Sequence, residues 1–334
     1  MLLRPLRIFS LLFMIFYLVA NVGYSGNELF IVPFENYSGD PNVFEKVKML
    51  VVSELNNKSV LVYNDTFTFR VLEDVGIREK GMVYKKHLDE LYSRYGIRYV
   101  LTGSILKYDV GKNPKFSLHL RLIDAFNKTV LWANYAGNTG EDNEGFFGLK
   151  KIRDIDTLVG KVVPKVLSDF SMERAGDGKR KRIAVVIFEN LAESPLIGKE
   201  ASYMILSSLS KLKKEFDVVE IGVVRELMVK LWLLPNGAID YEQISAFRDK
   251  LGVDYILIGS VEDFKEDIYS DFSYVLLSVR VIDSVKKKIL FVGDRYLNSY
   301  SKEGVLEFGR LRSSDLVLYN AIKDLVGEIE RRIK

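Results

Sequence analysis

The sequence predicts a mixed α/β (α+β) protein that carries the same folding unit twice. One stretch occurs in two versions, at residues 95–105 and 251–261, and each reads as a glycine turn, an apolar strand and Gly-Ser. The Phe-Glu-Asn tripeptides that begin at Phe34 and Phe188 are 154 residues apart (188 minus 34), and the two stretches are 156 apart (251 minus 95). An offset that drifts so little indicates a tandem duplication with small loop insertions.

Length and composition describe an ordinary globular protein with room for two domains. The chain has 334 residues, of which 48% are hydrophobic and 28% charged, with a net charge of +3. Such a small charge predicts no nucleic-acid partner. The sequence contains no cysteine, which excludes disulfides, thiolate metal sites, a cysteine nucleophile and a lipid anchor on cysteine.

The N-terminus has the three parts of a secretory signal peptide. Arg4 and Arg7 give a positive start, residues 8–22 form an almost unbroken apolar run, and small residues surround Ser25. We expect residues 1–25 to be a signal peptide that is cleaved after Ser25. An uncleaved anchor is the alternative, although the apolar run is shorter than the roughly 20 residues that span a bilayer.

The first half of each unit is predicted as strand-helix-strand-helix. A continuous apolar run predicts a first strand that is buried on both faces, and apolar residues at helical spacing predict the helix after it. The second helix is expected to end at a glycine in the left-handed conformation, Gly96 or Gly252. In the two units these predicted elements cover residues 29–34 and 183–188, 44–55 and 204–212, 59–63 and 217–221, and 84–95 and 241–251.

The second half of each unit is predicted as three strands and a closing helix. The repeated stretch forms the first of these strands. The next strand alternates in polarity at residues 116–122 and 274–281, and a turn rich in Asp, Asn and Lys leads to the third, at 129–135 and 287–293. A wide apolar stripe predicts the closing helices at 155–170 and 318–333. Helices on one face would leave the alternating strands partly exposed to water.

These boundaries predict two tandem domains. The first copy is expected at residues 27–170 and the second at 182–334, with a linker at 171–181 that contains Gly176-Asp177-Gly178. The basic run from Lys179 to Arg182 is expected to be part of this solvated linker.

The motifs resemble the TolB N-terminal-like domain. The resemblance lies in Val32-Pro33-Phe34-Glu35-Asn36-Tyr37-Ser38-Gly39-Asp40-Pro41, in residues 96–104, in Leu122-Ile123-Asp124-Ala125 and in Leu131-Trp132. It is weaker in the second copy, which has Ile187 where the family usually has proline. That superfamily includes CsgG, LpoB and flagellar proteins of the FlgO and FlgT type. The resemblance implies two anticodon-binding-like domains, each β-α-β-α-β-β-β-α with a mixed sheet.

The resemblance also implies an exported, non-catalytic binding module of the bacterial envelope. We therefore expect a scaffold or assembly factor of the periplasm, with outer-membrane association left open. Its expected partners are envelope proteins; peripheral membrane association and oligomers remain open. A small-ligand sensor is the alternative, with the ligand between the two domains or at the Glu-Asn loops. A component of a CsgG-like secretion complex is a second alternative, although the chain lacks the cysteine that CsgG lipidates.

No catalytic, metal or cofactor site is predicted, and we do not expect an enzyme. The two histidines lie in different elements: we expect His87 on a solvated helix face and His119 on the polar face of a strand. The Gly103-Ser104 and Gly259-Ser260 pairs have no base beside them, and we expect a bulge or a close backbone approach there.

The candidate binding residues are Glu35, Asn36, Glu189 and Asn190. They are polar, repeated and placed after the carboxyl end of a central strand, where α/β sheets present ligands. The alternative is structural, because Glu and Asn also cap helices and order loops.

Overall fold

The structure is a computed structural model that describes residues 28–77, 81–140, 152–173, 180–233, 239–266, 272–304, 310–311 and 313–333. The predicted signal peptide and most of the predicted linker lie outside the described residues. We call residues 28–173 the first repeat and residues 180–333 the second repeat. The described residues form a mixed α+β fold with eleven strands and eight helices, which confirms the predicted fold class.

The two repeats contain nearly the same order of elements. In the first repeat they are β1 (Leu29–Ile31), β2 (Glu35–Asn36), α1 (Asn42–Asn57), α2 (Asp65–Val75), α3 (Lys85–Tyr95), β3 (Tyr99–Asp109), β4 (Lys115–Asp124), β5 (Thr129–Thr139) and α4 (Ile155–Val166). In the second they are β6 (Lys181–Val185), β7 (Glu189–Asn190), α5 (Ile197–Lys211), β8 (Phe216–Val219), α6 (Ile221–Lys230), α7 (Tyr241–Leu251), β9 (Tyr255–Glu266), β10 (Ser273–Asp283), β11 (Lys288–Asn298) and α8 (Ser314–Ile333).

All eleven strands belong to one sheet that crosses the boundary between the repeats. Its main order is β1-β3-β4-β5-β8-β6-β9-β10-β11, while β2 pairs with β3 and β7 with β9. The repeats join where β5 runs antiparallel to β8, with Thr129 opposite Val219 and Val130 opposite Val218. The sequence analysis did not predict that a strand of one repeat pairs with a strand of the other.

Strand pairing is equivalent in the two repeats. Leu29 of β1 lies opposite Tyr99 of β3, and Ile183 of β6 lies opposite Tyr255 of β9, both in parallel pairs. A register shift interrupts β3 after Ile105 and β9 after Val261 at matching positions. Gly96 and Gly252 both end a helix in the left-handed conformation, with φ of +67° and +64°, as predicted.

Some elements differ from the prediction. The first strand of each repeat is short, because it breaks before the two-residue strand that carries Glu-Asn. In the first repeat the predicted strand at 59–63 forms one isolated bridge, between Val62 and Leu29. Helices α2 and α6 were not predicted. Gly103 lies in regular strand, and an added Cβ would lie 2.5 Å from the carbonyl oxygen of His119, so the close approach was the correct alternative.

Helix α5 is the centre of the molecule. Twelve of its 15 residues are buried, because one side packs on its own repeat and the other covers the β3–β5 face of the first repeat. The prediction of a partly wet face is therefore wrong for the first repeat, where Ser117, His119 and Arg121 are fully buried. His87, expected on a solvated helix face, is also buried; its ring accepts a hydrogen bond from the Tyr84 N–H.

In the described part of the chain, no helix combines the length and the apolar character that crossing a bilayer requires.

Candidate functional site

The candidate site is the buried polar interface between the repeats, where α5 crosses strands β3, β4 and β5. A sheet face that carries Ser104, His119 and Arg121 meets a helix that carries Lys199 and Tyr203. Buried polar groups are costly unless they are paired. The pairing of these groups therefore decides how firmly and in which register the two repeats dock.

Glu35 anchors the first polar cluster. The two-residue strand β2 pairs with β3 and sets Glu35 opposite Ser104, whose hydroxyl donates to the carboxylate at 2.8 Å. From the second repeat, the Tyr203 hydroxyl donates at 2.5 Å and the Lys199 ammonium lies 3.3 Å away. Burial alone would raise the pKa of Glu35, but Lys199 and the two hydroxyl donors lower it below its ordinary value. Glu35 is therefore a charged acceptor that links the repeats.

Gly81 supports this cluster from behind. Its φ is +77°, and an added Cβ would lie 2.1 Å from the Cγ atom of Glu35. Its N–H donates to the Pro33 carbonyl at 2.7 Å. Only glycine fits this conformation and this close approach. The Gly81 carbonyl then faces the second polar cluster.

Arg121 and Glu220 form a fully buried ion pair between the repeats. The Arg121 Nε lies 2.9 and 3.0 Å from the two carboxylate oxygens, and one terminal nitrogen donates to the Gly81 carbonyl at 2.5 Å. Both side chains are 0% exposed. Glu220 is also the N-cap of α6 and accepts from the Gly222 N–H at 3.3 Å. One carboxylate thus caps a helix and binds the opposite repeat.

His119 lies between these two clusters. Its ring stacks on Tyr203 with the centroids 4.5 Å apart and the planes 6° from parallel. Burial, and then the charge of Arg121, lower the pKa of His119 well below its ordinary value. The imidazole is therefore neutral and acts as a flat packing surface for the tyrosine.

A third cluster lies toward the far end of β3. Lys107 of the first repeat lies 3.3 Å from Glu200 and 2.5 Å from Asp315 of the second. Burial alone would lower the pKa of Lys107, but these two carboxylates raise it. Burial raises the pKa of Glu200 to about 7 against the opposing effect of Lys107. The Tyr135 hydroxyl donates to Asp315 at 2.7 Å, which completes a set of charges shared between the repeats.

The other predicted site residues lie outside this interface. The Asn36 amide accepts from the Ser38 N–H at 3.0 Å and donates to the Asp40 carbonyl at 2.7 Å. Asn190 does the same in its own loop, with acceptor and donor contacts of 3.2 and 2.7 Å. As placed, both asparagines order their loops.

Glu189 corresponds to Glu35 and is half-buried. Strand β7 sets it opposite Ser260, as β2 sets Glu35 opposite Ser104. The Ser260 hydroxyl donates to the neighbouring Glu262 instead. The structure therefore brings one of the four predicted residues, Glu35, into the interface.

The interface residues of the second repeat were missed by the sequence analysis. One signal was present: no charged residue occurs from Ala201 to Ser210 of α5. A helix without a charged face is expected to be covered on all sides. That pattern could have placed Tyr203 in contact with a second surface.

Among the described residues, nothing covers the corresponding face of the second repeat as α5 covers that of the first. A groove of about 640 Å³ lies between this face and α7, lined among others by Trp232, Tyr241, Arg280, Lys287 and Lys288. Among the described residues no group of three or more His, Asp or Glu side chains is placed to hold a metal ion. The described part of this face carries cationic and aromatic side chains.

Comparison with known proteins gives matches of structure only. No family model matches the sequence, and no curated protein matches it. The PelC dodecamer of Paraburkholderia phytofirmans is similar at 15% identity and a TM-score of 0.31, over 46% of this chain and 92% of that one. The lipoprotein GNA1162 of Neisseria meningitidis is similar at 18% identity and a TM-score of 0.33, over 45% of this chain and 99% of that one.

The C-terminal domain of LpoB from Salmonella enterica is similar at 17% identity and a TM-score of 0.28. It covers 40% of this chain and 90% of its own. In all three cases the match spans less than half of this chain, so its own residues must carry the functional proposal.

Proposed function

We propose that this chain is an exported, non-catalytic, protein-binding component of the bacterial cell envelope. Export is supported by the positive, apolar and small-residue pattern of residues 1–25. The envelope role is supported by the resemblance to the TolB N-terminal-like domain. One observation carries the binding role: in the part of the chain that the structure describes, the sheet face and edge of the second repeat are uncovered, whereas the corresponding face of the first repeat is buried.

The uncovered edge is strand β11, which ends the sheet in the described part of the chain. Ile289, Val292 and Tyr296 on this strand are 55%, 57% and 53% exposed. An edge strand offers unpaired N–H and C=O groups, and its side chains supply apolar contact. Exposed apolar residues grouped on one surface mark interaction sites. The second repeat therefore presents a surface suited to adding a strand or helix from another protein.

Photo-crosslinking in cells tests this proposal. A photoreactive amino acid replaces Val292 in one variant and Val110, which is also exposed but lies between β3 and β4 of the first repeat, in a matched control. We expect a discrete crosslinked protein from position 292 in the envelope fraction and none from position 110. A Val292 variant that crosslinks nothing, or a chain found in the cytosol, would contradict the proposal.

Binding of a small anionic ligand is a second candidate function. It is favoured by Arg280, Lys287 and Lys288 along the groove, with Lys287 5.1 Å from the ring centre of Tyr241. A thermal-shift screen with phosphorylated and sulfated compounds tests this candidate, with Arg280→Met as the matched control. A shift that survives in the Arg280→Met variant would place the ligand elsewhere.

A further inference from the structure

The interface between the repeats has two unmatched halves at the ends of the same molecule. Helix α5, β8 and the start of α6 form the half that the second repeat presents to the first. The equivalent segments of the first repeat are α1, residues 61–63 and the start of α2. We call this the head surface, with Lys46, Met49, Val62 and Asp65 as its markers. The β9–β11 face of the second repeat is equivalent to the β3–β5 face of the first. We call it the tail surface, with Asp263, Arg280 and Ile289 as its markers.

These surfaces are equivalent to the two halves of the internal interface because their strands pair in the same register. Val62 bridges Leu29 as Val218 pairs with Ile183, with offsets of 156 (218 minus 62) and 154 (183 minus 29). On the other side, Ile289 lies opposite Ile282 in the second repeat as Val130 lies opposite Ile123 in the first.

Since Val130 pairs with Val218 at the internal junction, the equivalent pair is Ile289 with Val62. In the described part of the chain, these two residues lie at opposite ends of the sheet and cannot meet within one molecule.

As far as the described residues go, both surfaces are uncovered and expose apolar side chains. Met49 occupies the position of Tyr203 on its helix (203 minus 154) and is 66% exposed, and Leu61 beside Val62 is 60% exposed. On the tail surface Ile289 and Val292 are exposed. Equivalent residues of the internal interface are buried, among them Tyr203, Val130 and Ala133.

Each surface also contains a groove at the position where the internal interface is filled. On the β3–β5 face of the first repeat, the start of α6 from the second repeat fills the space. The contact is so close that a Cβ on Gly222 would lie 2.4 Å from the Val83 carbonyl oxygen. In the second repeat the space is the groove of about 640 Å³ that contains Arg280. The head surface carries a groove of about 440 Å³ between α1 and α2, lined by Met49 and Asp65.

The charges agree at two of three positions. Arg280 corresponds to Arg121, and Asp65, which pairs with Lys48 in its own chain, follows the cap residue Asn64 that corresponds to Glu220. In a contact between molecules, a cation would again face a carboxylate. Lys107 and Glu200 correspond to Asp263 and Lys46, so a contact between molecules would pair opposite charges with their signs exchanged. In its own chain, Lys46 also pairs with Asp156.

The third position differs. Glu45 and Met49 replace Lys199 and Tyr203, so Glu189 would gain neither of the donors that bind Glu35. A contact between molecules is therefore expected to be weaker than the internal one.

We propose that copies of this chain associate head to tail, with the tail surface of one copy on the head surface of the next. Each contact repeats the geometry of the internal interface and extends the sheet through Ile289 and Val62. Such a heterologous contact produces a ring if it closes and a filament if it does not. This inference rests on the proposed function, because it names a second copy as the protein that occupies the open face.

Disulfide trapping tests the contact, because the natural chain contains no cysteine. Paired residues of antiparallel strands have Cα atoms about 4.5–5.5 Å apart, within the range that a disulfide spans. The full chain carrying both Val62→Cys and Ile289→Cys is purified and oxidised. Within one chain the two repeats are tethered, at an effective concentration of about 1 mM. Separate molecules have no tether, so the protein is oxidised at a high concentration, on the order of 100 μM.

The expected result is a ladder of covalent dimers, trimers and larger species. A mixture of the two single variants should give covalent heterodimers and nothing larger. As a matched control, Val110→Cys replaces Val62→Cys; Val110 is 68% exposed in the same repeat but lies at the β3–β4 hairpin, and should give no ladder. Charge reversal by Arg280→Glu should reduce the ladder severalfold, and adding Asp65→Arg should restore it.

Two results would overturn the inference: no Val62–Ile289 bridge at any concentration, or only homodimers of each single variant, which indicate a two-fold contact. The proposed function fails separately. If position 292 crosslinks another envelope protein in cells while the purified chain forms no ladder, the binding role stands and self-association is wrong. If neither assay yields a product, both are wrong.

Discussion

Replacing Arg121 by methionine should destabilise the whole molecule. The substitution keeps most of the apolar volume but leaves the Glu220 carboxylate buried without its cation and the Gly81 carbonyl without its donor. Removing one partner of a fully buried ion pair typically costs about 3–5 kcal/mol. That is a large share of the roughly 5–15 kcal/mol that stabilises an ordinary folded protein. Urea denaturation, followed by circular dichroism and by the fluorescence of buried Trp132, measures the loss.

The double-mutant cycle makes this prediction specific. Glu220→Gln alone should cost a similar amount, while Arg121→Met with Glu220→Gln should cost clearly less than the sum, because the buried charges disappear together. Arg280→Met is the matched control, since Arg280 occupies the equivalent position on the open face and should change the unfolding free energy by less than about 0.5 kcal/mol. Equal effects of Arg121→Met and Arg280→Met, with additive single effects, would refute the buried pair.

Three further substitutions probe the same interface. Tyr203→Phe removes a donor to the charged Glu35 and should cost about 1.5–3 kcal/mol of unfolding free energy; a loss below 0.5 kcal/mol would show that the hydrogen bond is absent. Gly222→Ala places a methyl group against a carbonyl of the other repeat and should cost about 1–3 kcal/mol, whereas Gly327→Ala, in open space on α8, should stabilise the helix. His119 binds a proton in the unfolded chain, at a pKa near 6.5, but not when buried, so acid favours unfolding. Between pH 7.5 and 5.5 the natural chain should lose up to about 1.4 kcal/mol more than His119→Phe, and parallel pH curves for the two would contradict this.

The sequence predicted those features of the fold that depend on neighbouring residues in the chain, such as helix bounds and helix-ending glycines. The apolar period and the final glycine predicted α7 at Tyr241–Leu251, with the bounds that the structure gives. The same pattern predicted the left-handed Gly96 and Gly252. Helix α6 (Ile221–Lys230) was missed because its apolar residues contact the other repeat and α7, and its N-cap carboxylate binds a distant arginine.

The interface itself was not predictable from periodicity. Ser117, His119 and Arg121 alternate with leucines as they would on a strand with one wet face. They are buried because α5, which lies about 80 residues further along the chain, covers that face. The β5–β8 junction consists of two residue pairs, too few to leave a pattern. Glu35 was predicted as a binding residue from its place after a central strand, but its contacts Lys199 and Tyr203 belong to a surface that only the tertiary fold brings near.

The central claim is that one sheet passes from the first repeat into the second through β5 and β8. Cysteines at Val130 and Val218, which face each other across this junction, test it most directly in an otherwise cysteine-free chain. The matched control pairs Val130→Cys with Ile183→Cys, two strands away at about 10 Å, beyond the reach of a disulfide. We predict an intramolecular disulfide in the first variant, seen as two thiols protected from alkylation until reduction, and free thiols in the control. Free thiols in both variants would contradict the continuous sheet.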